Sequence, residues 1–444
     1  MSTRKDAAPD PTLGAAGRPT RLRREVGLFG AVMLGLGSII GSGVFVSLAV
    51  AAEVTGPAVL LAIGIGGVVA GLNGFSSAQL AANHPVSGGT YEYGYRYLNS
   101  WFGFTAGWAF LVAKSASAAT AALAFAGYAI GLLGLAGSDS LRTGLALGLV
   151  VLLTSLVLLG MRRSNMANTV IVSITLIALG VFVVAGLPSM FANGPASFTP
   201  FLRAESGSSL TALLYASALM FVAFTGYGRI ATLGEEVVEP RVTIPRAVIA
   251  ALLVTAVVYA LVAAVAVGAG GELFVSSVNQ DPLVVVARGF AFGPAAPIVA
   301  LGALTATVGV LLNLVVGLSR VALAMGRRRD IPALFGRLDA SGTSPTAAVI
   351  GVGAVIAVLV AVGDVRVTWS LSAFTVLIYY SITNLAATRL GADERLYPRW
   401  LAVAGLIACL GLAVFVEWRV LLVGCGVLAL GLVWHAVALR LQRS

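Results

Sequence analysis

From Val26 onward the chain alternates long apolar runs with short gaps rich in arginine, glycine or proline. The runs last about 20 residues or more, the length a helix needs to cross a bilayer. Their spacing predicts about twelve spanning helices, at 27–52, 57–82, 100–132, 142–160, 167–188, 209–233, 245–269, 284–326, 345–363, 367–388, 399–416 and 419–439. The third and eighth exceed bilayer length, so they should tilt or run past the membrane. No stretches of about ten alternating residues occur, which excludes a transmembrane barrel. The expected fold class is all-α and polytopic. Residues 1–24 read as a polar, disordered tail and 25–444 as one membrane domain, because no gap is long enough for a separate soluble domain. The longest gaps on the side opposite the N-terminus, about 189–208 and 270–283, read equally as covers over a gate or as solvated linkers.

Two runs are interrupted near mid-depth. The first carries Gly35, Gly37, Gly41 and Gly43, each costing up to about 1 kcal/mol in a helix interior. Unpaired backbone is expensive in hydrocarbon, so an opened helix survives there only against protein, water or a ligand. Gly41-Ser42-Gly43 therefore reads as a break that offers bare N–H groups to an anion. The same glycines would also serve close helix packing, the commoner use of small residues in membranes. The sixth run is interrupted at Thr225-Gly226-Tyr227-Gly228. Breaks in the first and sixth helices, at matching places in two five-helix halves, are the signature of inverted-repeat transporters.

Composition removes other classes. The 444 residues are 59% hydrophobic and only 10% charged, with mean hydropathy +0.97; soluble domains carry about 25% charge. The formal charge of +10 is spread between the apolar runs rather than gathered on one domain, so it signals topology and not nucleic-acid binding. With the N-terminus inside, about 21 of the 28 basic residues fall in cytoplasmic gaps, a strong positive-inside bias that places both termini in the cytoplasm. The start is polar and basic without an apolar core, so no signal peptide is expected. Cys409 and Cys425 read as buried free thiols, and His84 and His435 lie too far apart to form a cluster. No cofactor, metal site or enzymatic constellation is expected.

The chain also resembles the amino acid–polyamine–organocation superfamily of amino acid permeases. The resemblance rests on Gly35 to Phe45, Pro85-Val86-Ser87-Gly88-Gly89-Thr90-Tyr91 leading to Gly107-Trp108, and Phe224-Thr225-Gly226-Tyr227 with Glu235-Glu236 and Pro240-Arg241. It continues in Ile244-Pro245-Arg246, Ser319-Arg320 and Asp330-Ile331-Pro332. It implies the five-plus-five inverted repeat of the sodium-coupled leucine transporter, with repeats at 25–190 and 207–390 and two peripheral helices within 398–440. By similarity, Ile40, Gly41, Ser42, Gly43 and Val44 meet the substrate, with Ser42, Gly43 and Val44 donating N–H groups to its carboxylate. Ala223, Phe224 and Thr225 would offer carbonyls to its ammonium across the Gly226 break. Phe221, Phe224 and Tyr227 are candidates for an aromatic lid, although aromatics at helical spacing are commonly packing. Glu235 and Glu236 are candidates for an inner gate.

Two positions depart from the family pattern. Where many relatives carry an acid after the aromatic that follows Gly226, this chain has Gly228 and then Arg229. Where proton-coupled relatives often have a lysine in helix five, it has Thr175. Lys114 instead lies about 13 residues into helix three, roughly 20 Å along it at 1.5 Å per residue. An ionisable residue at that depth is by default a functional candidate, here a group that loads and releases a proton. The structural alternative is a lysine that snorkels or bonds opened backbone. Arg229 reads as a gate cation or as a contact for an anionic side chain. The expected function is secondary transport of amino acids, small and neutral or apolar, coupled to H⁺ rather than Na⁺. Exchange and acidic substrates are the alternatives, and a channel is the rival class. Thr305, Thr307 and Ser42 are the hydroxyls that sodium would need, but helical hydroxyls commonly bond their own backbone.

Overall fold

The computed structural model describes residues 26–41, 43–85, 88–136, 138–159, 165–203, 208–231, 237–276, 281–338 and 345–443. Ser42, Glu235, Glu236 and the 1–24 tail fall outside them. Twelve segments run the length of the bundle. α1 is Leu28–Ile39, resumed as a π-helical turn Gly43–Ser47 and a helix Leu48–Thr55. α2 is Val59–Asn83, α3 Ser100–Leu133, α4 Asp139–Leu158 and α5 Asn165–Asn193. α6 is Ser209–Phe224, continued by a 3₁₀ turn Thr225–Tyr227 and one helical turn Gly228–Ala231. α7 is Pro240–Gly270, α8 Ala295–Arg327, α9 Thr346–Val362, α10 Val365–Ala387, α11 Arg399–Val414 and α12 Trp418–Arg443.

Among the described residues, nine runs have the length and apolarity to cross a membrane, one of which (28–83) holds both α1 and α2; α9 and α11 are shorter apolar helices. The expectation is corrected at four places. The eighth run is two helices, Pro282–Ala287 and α8, separated near Gly289 and Gly293. The gaps at 189–208 and 270–283 are partly helical, with Gly194–Phe198 as a 3₁₀ turn and Glu272–Ser276 as a helix. A short polar helix, Thr90–Tyr97, precedes α3 where no element was expected. Of the two thiols, Cys409 is buried but Cys425 is exposed.

Helix packing follows a regular pattern. Helix n packs against helix n+5 for the first four of the first five: α1 with the break region of α6, α2 with α7, α3 with α8, and α4 with α9. Exchanging n for n+5 carries other packed pairs onto packed pairs. The contacts α1–α7, α3–α10 and α1–α5 become α6–α2, α8–α5 and α6–α10, all of which occur. α11 and α12 lie outside this pattern, against α2, α3 and α10.

The bundle is apolar on its outside, as a bilayer requires. Val184, Ile407 and Leu430 are about as exposed as surface residues of a soluble protein would be, at 70%, 66% and 70%. Inside, small residues let helices approach, and hydroxyl pairs join them. Between α3 and α10 these are Ser117–Ser372 at 2.7 Å and Thr120–Thr368 at 2.8 Å.

The two ends are tied differently. At the far end, opposite the N-terminus, the 194–203 segment clamps the α1–α2 corner. Arg203 N donates to Thr55 O, Ala58 N donates to Phe201 O, and Arg203 pairs with Glu272. At the near end, Asp330 accepts from Tyr91 Oη at 2.7 Å and Tyr95 Oη at 2.8 Å, and Arg328 pairs with Glu92 at 2.5 Å.

Candidate functional site

The site is built on the two interrupted helices. α1 ends at Ile39, and Ile40 is extended (φ −83°, ψ 92°). The chain re-enters through a π turn in which Val44 N and Phe45 N both approach Gly41 O, at 3.3 and 3.2 Å. Glycine is required by close approach. A Cβ on Gly41 would strike Val310 of α8, and one on Gly43 would strike the Tyr259 hydroxyl and lie 3.1 Å from Ala223 O. A Cβ on Gly226 would run into the backbone of Ser38 and Ile39, so the two breaks touch main chain to main chain.

Breaking a helix leaves carbonyls without their usual partners. Tyrosines from three neighbouring helices supply them. Tyr259 Oη of α7 donates toward both Ile39 O and Ala223 O, at 3.0 Å each, joining the two breaks through one hydroxyl. Tyr380 Oη of α10 donates to Thr225 O at 3.1 Å, and Tyr128 Oη of α3 donates to Phe45 O at 2.8 Å. Ala223 and Thr225 were expected to face a substrate ammonium; Thr225 O already carries two donors, Tyr380 Oη and the Gly228 N–H, whereas Ala223 O carries the Tyr259 donor. A carbonyl has two lone pairs and can accept a second.

The second interruption is milder than full unwinding. Thr225 N bonds back to Val222 O in a 3₁₀ turn, and Thr225 Oγ1 donates to the same carbonyl at 2.8 Å. Lys114 reaches this turn: its Nζ donates to Thr225 Oγ1 at 2.9 Å. The mid-depth lysine of α3 thus bears directly on the α6 break.

A cavity of about 110 Å³ opens beside this contact. Its walls include Ser38 of α1, Phe110 and Lys114 of α3, Thr225, Gly226, Gly228 and Arg229 of α6, Val310, Asn313 and Arg320 of α8, and Tyr379 and Tyr380 of α10. Gly88 and Arg320 place its lower part toward the near end. Of the residues the sequence singled out, it gathers Lys114, Thr225, Gly226 and Arg229. Ile40, Gly41, Gly43, Val44 and Ala223 are buried in the packed backbone behind the cavity.

The remaining candidates sit elsewhere. Phe221 meets Tyr380 edge-on with ring centres 5.6 Å apart, and Tyr227 packs on the same ring at 5.5 Å. Phe224 turns toward an apolar groove between α2 and α7, beside Gly67 and Leu252. None of the three lines the cavity. Thr175 Oγ1 donates to Ile171 O at 2.8 Å, within its own helix. Thr305 and Thr307 do the same, to Leu301 O at 2.9 Å and Ala303 O at 2.8 Å. Residues that the sequence reading missed are Ser38, Asn313, Tyr128, Tyr259, Tyr379 and Tyr380. Of these, Asn313 had a signal, an amide in the middle of an apolar run.

A bundle of apolar helices with two touching helix breaks beside a cavity is an arrangement suited to a membrane transporter. The chain belongs to the amino acid permease family, whose sequence profile matches residues 30–440. It is 39% identical over 419 residues to an uncharacterized transporter of Mycobacterium tuberculosis, covering 94% of this chain and 92% of that one. It is 27% identical to the methylthioribose transporter of Bacillus subtilis, over 78% of this chain and 76% of the other. A branched-chain amino acid permease of the same organism is 24% identical, over 98% and 96% of the two chains.

Proposed function

We propose that this permease moves amino acids by alternating access, with the substrate's main chain held between the breaks of α1 and α6. The observation that carries the reading is the Lys114–Thr225 contact, which ties an ionisable group to the backbone turn expected to grip the substrate. A charged donor makes a stronger hydrogen bond than a neutral one, about 1.5–3 against 0.5–1.5 kcal/mol. Protonation of Lys114 therefore biases where the α6 turn sits, and this couples transport to H⁺. The sodium reading would need Thr305, Thr307 and Ser42; the first two donate to carbonyls of their own helix, and Ser42 lies outside the described residues.

The bias of arginines toward the near end supports cytoplasmic termini, which makes the cavity inward-facing. The n to n+5 packing supports repeats at 25–190 and 207–390, with 398–440 outside them. Glu235 and Glu236 stay as inner-gate candidates on sequence grounds alone.

The test is uptake of labelled amino acids into proteoliposomes with and without a pH gradient, comparing wild type with Lys114→Met. The proposal expects saturable uptake that an inward proton gradient stimulates, and a variant that has lost the stimulation. A variant whose uptake keeps the wild-type pH dependence would remove Lys114 from coupling. Ohmic single-channel currents would defeat the transporter reading itself.

A further inference from the structure

Among the described residues, the charged side chains that line the cavity are all basic. Lys114, Arg229 and Arg320 line it, and no aspartate or glutamate does among the described residues. Arg229 holds a further partner of its own, which leaves Lys114 as the group considered for a ligand. Lys114 forms no salt bridge with a described residue, and its partner, the Thr225 hydroxyl, occupies one of the three donors of an ammonium. The other donors stand at the wall of a cavity whose surroundings are protein and hydrocarbon. A like-signed, low-dielectric cleft concentrates ions of the opposite sign. The amide of Asn313 adds a donor on the facing helix.

The position of this charge matters. By the resemblance, a zwitterion's own carboxylate goes to the first turn after the α1 break, whose Gly43 and Val44 do not line the cavity. The lysine lines the cavity beside the Thr225–Gly226 turn. We infer that the preferred substrates are anionic amino acids, a second carboxylate (or an equivalent acidic group) reaching Lys114 from the substrate side chain. This replaces the expectation of small neutral substrates, and it rests on the transport reading above. It also makes proton and substrate cooperative: an acidic side chain binds the charged form of Lys114 better than the neutral form, so by linkage each favours the other.

The experiment uses isosteric pairs on the full-length protein, glutamate against glutamine and aspartate against asparagine. Binding is read by thermal shift and by competition for uptake in proteoliposomes. The expected result is at least tenfold preference for the acids in wild type, lost or reversed in Lys114→Gln. The wild-type comparison stands even if the variant fails to fold. Amides or apolar amino acids preferred over the acids by wild type would overturn this inference and leave amino acid transport intact. Equal acid preference in a folded Lys114→Gln protein would also overturn it. If no amino acid of any charge binds or is taken up, the transport reading fails instead.

Discussion

Removing a single oxygen, in Tyr259→Phe, tests whether the two helix breaks act as one unit. The phenol is fully buried, and its hydroxyl lies 3.0 Å from Ile39 O and 3.0 Å from Ala223 O, one carbonyl from each interrupted helix. Phenylalanine keeps the ring, and with it the packing on Phe224 at 5.1 Å between centres. What is lost is one shared donor. A net hydrogen bond is worth about 0.5–1.5 kcal/mol, and a buried acceptor left unmet costs about 1–3 kcal/mol. Interhelical bonds in membranes tend to the low side, averaging about 0.6 kcal/mol. About 2 kcal/mol is therefore a fair expectation, which is a factor of about 30 in an equilibrium constant. If the breaks form the substrate grip, that factor falls on binding: KM for uptake should rise about 10- to 30-fold, with apparent unfolding lowered by a few degrees. The assay is uptake by proteoliposomes with fluorescence-detected unfolding alongside. Tyr97→Phe, whose hydroxyl meets Glu394 at 3.4 Å far from the breaks, is the control. A Tyr259→Phe protein with wild-type KM and wild-type unfolding would refute the reasoning.

Other expectations follow from the same contacts. Gly226→Ala places a methyl against the Ser38 and Ile39 backbone, which cannot rotate away; overpacking of about 1–3 kcal/mol should abolish uptake while leaving a folded, monodisperse protein by size exclusion. Asp330→Asn weakens the hydrogen bonds from Tyr91 and Tyr95 at the near end, and should lower stability by about 1–3 kcal/mol in chemical unfolding. Burial first, and then Arg96, hold the His84 pKa below its ordinary value of 6.5. The folded state thus disfavours the protonated ring, so stability should fall as pH drops below about 6.5, and His84→Gln should flatten that slope in thermal unfolding against pH.

Much of this fold could be read from the chain because a bilayer imposes one rule on every helix. Any stretch of about 20 apolar residues has to satisfy its backbone internally, so hydropathy alone locates spans. The same rule made the glycines at 41–43 and 226–228 conspicuous, since nothing in hydrocarbon tolerates an open helix without a partner. Lys114 was legible by depth for the same reason. The partners themselves were not legible. Tyr128, Tyr259 and Tyr380 read as ordinary amphipathic side chains until the packing brings their hydroxyls to carbonyls 36 to 220 residues away in sequence. Phe221, Phe224 and Tyr227 drew attention because they adjoin the break, yet their rings pack away from the cavity. Adjacency in sequence does not decide which face of a turn looks inward. The eighth run looked continuous because its split at Gly289–Gly293 replaces helix with glycine and phenylalanine, which hardly alter hydropathy.

The most direct measurement is an experimental structure of the permease in lipid with a transported amino acid bound. The account predicts that the ligand's α-carboxylate and ammonium sit between residues 41–44 of α1 and 223–226 of α6, with its side chain toward Lys114. A transported ligand resolved away from both segments, or both helices found continuous around it, would contradict the account.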